Sequence, residues 1–196
     1  MRDRRQRGIS LIMVMLILVI VSLLGIGGIQ VSMMGERSAR NDRDSQIAWQ
    51  GAEAALLDAE FDIRGAEAGS GIASPRSATL SPMDFVECQS SGSSAGLCLV
   101  TGGKSAWLTV DFADTSSGAT TTAFGAFTTR TFASGGAGIQ PAQAPRYVVE
   151  LVPDKVGDKA IKPAGEGGQT YVYRVTAMGF GPRTDIQTVA QMLFRK

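Results

Sequence analysis

The stretch RQRGISLIMVMLILVIVSLLGIGG, residues Arg5–Gly28, joins a short basic segment to a long apolar run. No charged side chain occurs over residues 9–34, a run of 26 residues. As an α-helix rising about 1.5 Å per residue, this run extends roughly 39 Å and exceeds a hydrocarbon core of about 30 Å. The run therefore predicts a helix that can span a membrane.

The residues around the run indicate that it is retained and how it is oriented. An ordinary secretory signal has only about 7–15 apolar residues before a small-x-small cleavage site, and no such site follows Ile29. Four arginines and one aspartate precede the run and give a charge of +3 (Arg2, Asp3, Arg4, Arg5 and Arg7). Because basic flanks stay in the cytoplasm, we expect the rest of the chain to face outward.

The outer part of the chain has the opposite charge balance. The whole chain has 19 Lys and Arg and 18 Asp and Glu; without the four arginines and one aspartate of the leader, 15 and 17 remain, a net charge of −2. Nucleic-acid binding usually requires a basic surplus. We therefore expect no nucleic-acid partner.

Two cysteines, Cys88 and Cys98, enclose nine residues rich in Ser and Gly. The chain has no histidine, and a structural metal site usually needs four ligands, so we expect no metal site. Disulfides persist in an oxidising, outward-facing space. We expect the two sulfurs to be bonded and to contribute about 2–3 kcal/mol; two buried free thiols are the alternative.

The helical pattern continues beyond the apolar run. Opposite charges lie four residues apart at Glu36 and Arg40, as on a solvated helix face. An apolar stripe with spacings of 3 and 4 follows and needs a surface to pack on; its members are Trp49, Ala52, Leu56, Ala59 and Ile63. Glycines from Gly65 onward end the pattern. One helix from Ile9 to Arg64 is predicted.

The last third of the chain is rich in β-branched and aromatic residues. Three strands are predicted over Arg146–Val152, Tyr171–Met178 and Asp185–Arg195, with a fourth over Ala106–Phe112 and a short one at FTTRTFA, residues 127–133. An antiparallel sheet has a face to cover, and the apolar stripe of the helix can cover it. The predicted fold class is α+β.

These features together resemble a type IV pilin. Within that family, AWQGAEAALLDAE (Ala48–Glu60) and YRVTAMGFG (Tyr173–Gly181) are similar to the PilX group of minor pilins. The resemblance implies a pilin-like fold, with a long N-terminal helix packed on an antiparallel sheet. It divides the chain into a cytoplasmic leader peptide (1–8), a transmembrane part of the helix (9–35), its amphipathic continuation (36–64) and a periplasmic β-rich domain (65–196).

The resemblance also implies processing and partners. A prepilin peptidase is expected to cut between Gly8 and Ile9 and to N-methylate Ile9, whereas an uncut single-pass anchor is the alternative. The expected partners are other minor pilins, the major pilin, the inner-membrane assembly platform and a PilY-like tip adhesin. The protein is then expected in the inner membrane and later in the pilus at the cell surface.

One position departs from the family's usual pattern. Most pilins carry a glutamate five residues into the mature chain, where this chain has Met13. A carboxylate in an apolar core is costly unless it is paired, and its expected partner is the N-terminal amine of the subunit added before. A first subunit has no such amine to meet, so Met13 predicts a tip position; simple tolerance of the loss is the alternative.

No catalytic constellation is predicted. TGGKS (Thr101–Ser105) lacks the first glycine of a phosphate-binding loop, since Cys98 stands there. The absence of histidine excludes a His-based triad, and no cofactor is expected. The predicted function is a minor pilin that primes pilus assembly; a surface-binding or aggregation module, a pseudopilin of type II secretion and a membrane-anchored enzyme are the alternatives.

Overall fold

The computed structural model describes residues 9–65, 72, 76–100, 103–136, 138–154 and 171–195. A single helix, α1, runs from Ile9 to Arg64, with the bounds that the sequence predicts. Contacts divide the chain into two units, Met1–Arg43 and Asp44–Lys196. The first unit contains the apolar half of α1, and the second contains the rest of the helix and the sheet.

The sheet of the second unit has five strands: β1 (Leu97–Leu99), β2 (Thr122–Ala123), β3 (Arg146–Pro153), β4 (Tyr171–Phe180) and β5 (Gln187–Phe194). The main order is β1-β3-β4-β5, and β2 pairs with β3 beside this path. The three long strands form an antiparallel meander, with Val149 opposite Val175 and Val175 opposite Met192. β1 runs parallel to β3, so the sheet is mixed and not wholly antiparallel.

The predicted strand over Ala106–Phe112 is wrong. Residues Ala106–Leu108 form a short 3-10 helix. The Ala106 N–H donates to the Glu150 carboxylate at 2.5 Å, and the Thr109 hydroxyl donates to the Ala106 carbonyl at 2.8 Å. These side chains bind the backbone groups that a strand would need for its ladder.

The short strand predicted at FTTRTFA, residues 127–133, is also wrong, because the strand of this region is β2, a few residues earlier. Thr129 lies in the left-handed region with φ 59°. The Thr128 hydroxyl donates to Asp58 at 2.5 Å. A bend bound to the helix therefore replaces a regular strand.

Both faces of the sheet carry a buried cluster. On the helix face, Ala55, Ala59 and Ile63 pack with a buried cluster that includes Tyr147 and Val175. The opposite face, called the outer face below, carries a second buried cluster of Cys98, Ala106, Phe112, Val148 and Phe180. The 3-10 helix that replaces the predicted strand thus contributes to the cover of the outer face.

Candidate functional site

The apolar half of α1 is exposed from Leu11 to Met34. Met13 is 59% exposed, and the other large apolar side chains from Leu11 to Met34 are exposed as well. By length and composition the helix can cross a membrane. The predicted cleavage site is only partly described: Gly8 lies outside the described residues, and α1 begins at Ile9.

The second half of α1 turns a face of small side chains toward the sheet. Ala48, Ala52, Ala55 and Ala59 are fully buried, and Ile63 closes this row. Of the predicted stripe, Ala52, Ala59 and Ile63 belong to the buried face, and Leu56 is partly buried against the same cluster. Alanine side chains allow the helix backbone to lie close to the strands.

Trp49 does not belong to the buried face, contrary to the prediction. Its side chain is 49% exposed, and its indole Nε1 donates to the Glu53 carboxylate at 2.7 Å. The helix lies too close to the sheet at this level for an indole. The spacing of 3 and 4 residues predicted that Trp49 faces the sheet, whereas the neighbouring Ala48 is the residue that faces the strands.

Two glycines set this close approach. A Cβ atom placed on Gly179 of β4 would lie 2.0 Å from the Ala48 carbonyl oxygen and 2.3 Å from the Ala52 nitrogen. On the helix, a Cβ on Gly51 would lie 3.5 Å from the Gly179 Cα. Backbone therefore packs directly on backbone, and Gly179 has no room for any side chain.

Two buried carboxylates attach the helix to the rest of the second unit. Asp58 accepts hydrogen bonds from the Gly125 N–H at 2.7 Å and from the Thr128 hydroxyl at 2.5 Å. Arg130 lies 3.4 Å from the same carboxylate, with its guanidinium over the Phe61 and Phe124 rings. Asp58 thereby holds the bend that follows β2.

Asp62 joins α1 to β3 and to the turn that contains Arg76. It accepts from the Tyr147 hydroxyl at 2.8 Å and forms a bidentate ion pair with the Arg76 guanidinium. Arg76 also donates to the Ala95 carbonyl at 2.6 Å, just before β1. One carboxylate and one guanidinium therefore connect four parts of the second unit.

Burial governs the titration of this cluster. Desolvation raises the pKa of Asp62, although the nearby Arg76 charge and the Arg76 and Tyr147 hydrogen bonds act in the opposite direction. Burial, with the Asp62 charge next, raises the pKa of Tyr147 well above its ordinary value near 10. The Tyr147 hydroxyl is therefore a proton donor to Asp62 over the whole neutral range.

The outer face has an ion pair and the disulfide. Glu150 is fully buried and accepts from Arg174 at 2.8 and 2.9 Å, while Arg174 also donates to the Ser105 hydroxyl at 2.9 Å. Cys88 and Cys98 form a disulfide with their Cα atoms 4.4 Å apart. The bond joins the loop before β1 to β1 itself, so a short strand is held in place covalently.

Asp58, Asp62, Glu150 and Arg174 are functional residues that were not predicted from the sequence. A signal for the first two was present: each directly precedes a residue of the apolar stripe, Ala59 or Ile63, and so lies on the edge of the same helix face. Charged residues at such positions require a partner when buried. No group of three or more potential metal ligands occurs within the part of the chain that the structure describes.

A helix with an apolar, exposed first half and a small-residue second half packed on an antiparallel meander defines a pilin-like protein. The chain matches the PilX N-terminal family model over residues 7–57 and the C-terminal model of type IV pilus assembly protein PilX over residues 36–196. It therefore belongs to the PilX family of type IV pilus assembly proteins. No curated protein and no solved structure matches the chain.

Proposed function

We propose that this protein is a minor pilin that primes assembly of a type IV pilus and occupies the filament tip with other minor pilins. Met13, in a stem without any charge from Ile9 to Met34, is the observation that carries the proposal. A shaft subunit needs an acidic group to meet the N-terminal amine of its predecessor, since that amine is otherwise unpaired in an apolar core. A subunit with Met13 fits best where no predecessor exists.

The same proposal assigns a location to each segment of the chain. Residues 1–8 form the leader, which prepilin peptidase removes before it methylates Ile9. Residues 9–35 anchor the protein in the inner membrane, residues 36–64 continue the helix, and residues 65–196 face the periplasm. The assembly platform then transfers the subunit to the filament, where other minor pilins, the major pilin and a PilY-like adhesin are its partners.

Four measurements separate this function from its alternatives: filament formation, cell aggregation, secretion and substrate turnover. Loss of all filaments on deletion supports priming, whereas normal filaments with lost cell aggregation support a surface-binding module. A secretion defect with normal filaments supports a type II secretion pseudopilin. We assign no enzymatic step to the protein, and substrate turnover by the full chain would contradict that assignment.

Labelled antibody against the second unit, imaged on sheared pili, tests the tip position. We expect label at filament ends and a very low copy number. Met13→Glu supplies the missing carboxylate and is expected to place label along the shaft. Met15→Glu is the matched control, because its carboxylate lies two residues from that position and stays unpaired. Regular decoration of the shaft by the unaltered protein contradicts the proposal.

A further inference from the structure

β5 is the end strand of the sheet. It pairs with β4 on one side, from Gln187 opposite Phe180 to Phe194 opposite Tyr173. No strand in the described ranges pairs with its other side. Since alternate residues of a strand direct their N–H and C=O groups to opposite sides, about half of those groups in β5 point away from the sheet.

The composition of β5 leaves this edge unprotected. Its sequence, QTVAQMLF, has eight residues, no charge and no proline. Natural proteins usually blunt such an edge with lysine, proline, a bulge or a short strand. At about 3.4 Å per residue, β5 offers roughly 27 Å of open backbone.

Side chains fix the position of the strand and add apolar surface to it. Met192 and Phe194 pack with the buried cluster on the helix face, which sets the register of β5. On the outer face, Gln191 Nε2 donates to the Thr176 hydroxyl at 2.8 Å. Beside it, Leu193 is 70% exposed and Val189 is 40% exposed. The edge is therefore ordered and partly apolar.

A cleft lies at the C-terminal end of the same strand. It is lined by Leu193 and Phe194 of β5, by Val172 of β4, and by the charged residues Asp154 and Arg195. Arg195, which is paired with Asp154 at 2.8 Å, follows the last residue of β5 and ends its uncharged run.

We propose that β5 accepts an additional β-strand from a different pilus subunit. The occupant is an extended, uncharged segment of about eight residues with apolar side chains at alternate positions, which meet Val189 and Leu193. This inference rests on the proposed role in pilus assembly. Two copies of this chain could pair antiparallel through β5 only if their α1 helices ran in opposite directions. Chains anchored in one membrane have α1 helices that run in the same direction, so the occupant is not a second copy paired in this way.

A photoreactive amino acid placed at Val189 or Leu193 of the full chain in piliated cells tests the proposal. We expect light-dependent cross-links that peptide mass spectrometry maps to one uncharged extended segment of another pilus subunit. Met83, which is 90% exposed and distant in sequence, is the matched control position and should give none. Cross-links between two copies of this chain, or equal cross-linking at Met83, overturn the proposal.

Lysine at the edge provides the second variant. Val189→Lys with Leu193→Lys should abolish the cross-link from a photoreactive residue at Gln187, because an added strand would have to cover two charges. Met83→Lys should leave this cross-link unchanged. The unaltered chain, the double-lysine variant and Met83→Lys should all unfold at the same temperature. Slow amide exchange of the outward β5 residues in the isolated full chain also overturns the proposal, since the edge would then be closed already.

Antibody labelling of pili from the same strains separates this proposal from the proposed function. If the cross-links to β5 persist but the antibody label decorates the shaft, only the tip position is contradicted. Label at the filament ends without any cross-link to β5 contradicts the added strand alone.

Discussion

At the scale of single residues, the buried hydroxyl of Tyr147 makes stability depend on alkaline pH. Its pKa is raised in the folded chain, so above about pH 10 the unfolded chain releases a proton that the folded chain retains. The contribution of Tyr147 to the free energy of unfolding is therefore constant below about pH 10 and falls as the pH rises above that value. Chemical denaturation of the detergent-solubilised chain between pH 8 and pH 11 measures this slope.

Tyr147→Phe should remove most of that slope, at a cost of about 1 kcal/mol at neutral pH from the lost hydrogen bond to Asp62. Tyr173→Phe is the comparison, because burial raises the pKa of Tyr173 less strongly. It should reduce the alkaline slope only slightly. An unchanged slope in Tyr147→Phe would contradict the role of this hydroxyl.

Gly179 is the residue at which a single methyl group has the largest predicted effect. Its added Cβ meets helix backbone at 2.0 and 2.3 Å, and backbone cannot move aside as a side chain can. Gly179→Ala should therefore lower the free energy of unfolding by about 1–3 kcal/mol or more, as overpacking does. Gly118→Ala, whose Cβ meets only the Ser116 hydroxyl at 3.7 Å, should change it by less than about 0.5 kcal/mol. Equal effects of the two changes would show that the helix can move away.

At the scale of the elements, α1 is attached to its sheet by charge as well as by packing. Asp62→Ala leaves the Arg76 guanidinium buried without its carboxylate and should cost about 3–5 kcal/mol. Glu53→Ala, on the exposed side of the same helix, should cost less than about 1 kcal/mol, because it removes only the bond to Trp49. Thermal unfolding of both variants checks the difference, and a small loss for Asp62→Ala would contradict the attachment.

The elements also show what local sequence can predict. The bounds of α1 and the places of β3, β4 and β5 follow from periodicity and β-branched composition, which are local properties. The 3-10 helix at Ala106 does not, because it depends on Glu150, 44 residues away. Asp58 and Asp62 lie at the edge of the apolar stripe, but their partners Gly125 and Tyr147 are 67 and 85 residues away, so the local pattern cannot predict those contacts. Trp49 shows that periodicity places a stripe only to within one residue.

At the scale of the whole molecule, the proposed processing decides whether the stem can leave the membrane. The mature chain is expected to begin at N-methylated Ile9, and intact mass of the membrane-extracted protein measures this. Gly8→Phe should block cleavage, because a bulky side chain replaces the unhindered backbone that the peptidase needs, and the precursor should stay in the membrane. Gln6→Phe is the control and should be cleaved. A chain that still begins at Met1 in cells with an active peptidase contradicts the proposal.

The bonds of Asp58 and Asp62 have a mechanical consequence. A force that pulls α1 along its own axis acts across Gly125, Thr128, Arg76 and Tyr147 at once, since the two carboxylates lie one turn apart on one face of the helix and move along the axis together. Bonds loaded in parallel share the force and must break together, whereas a peeling force breaks them one after another. The second unit is therefore expected to resist a pull along the axis of α1 more strongly than a force that lifts the end of the helix at Arg64 away from the sheet.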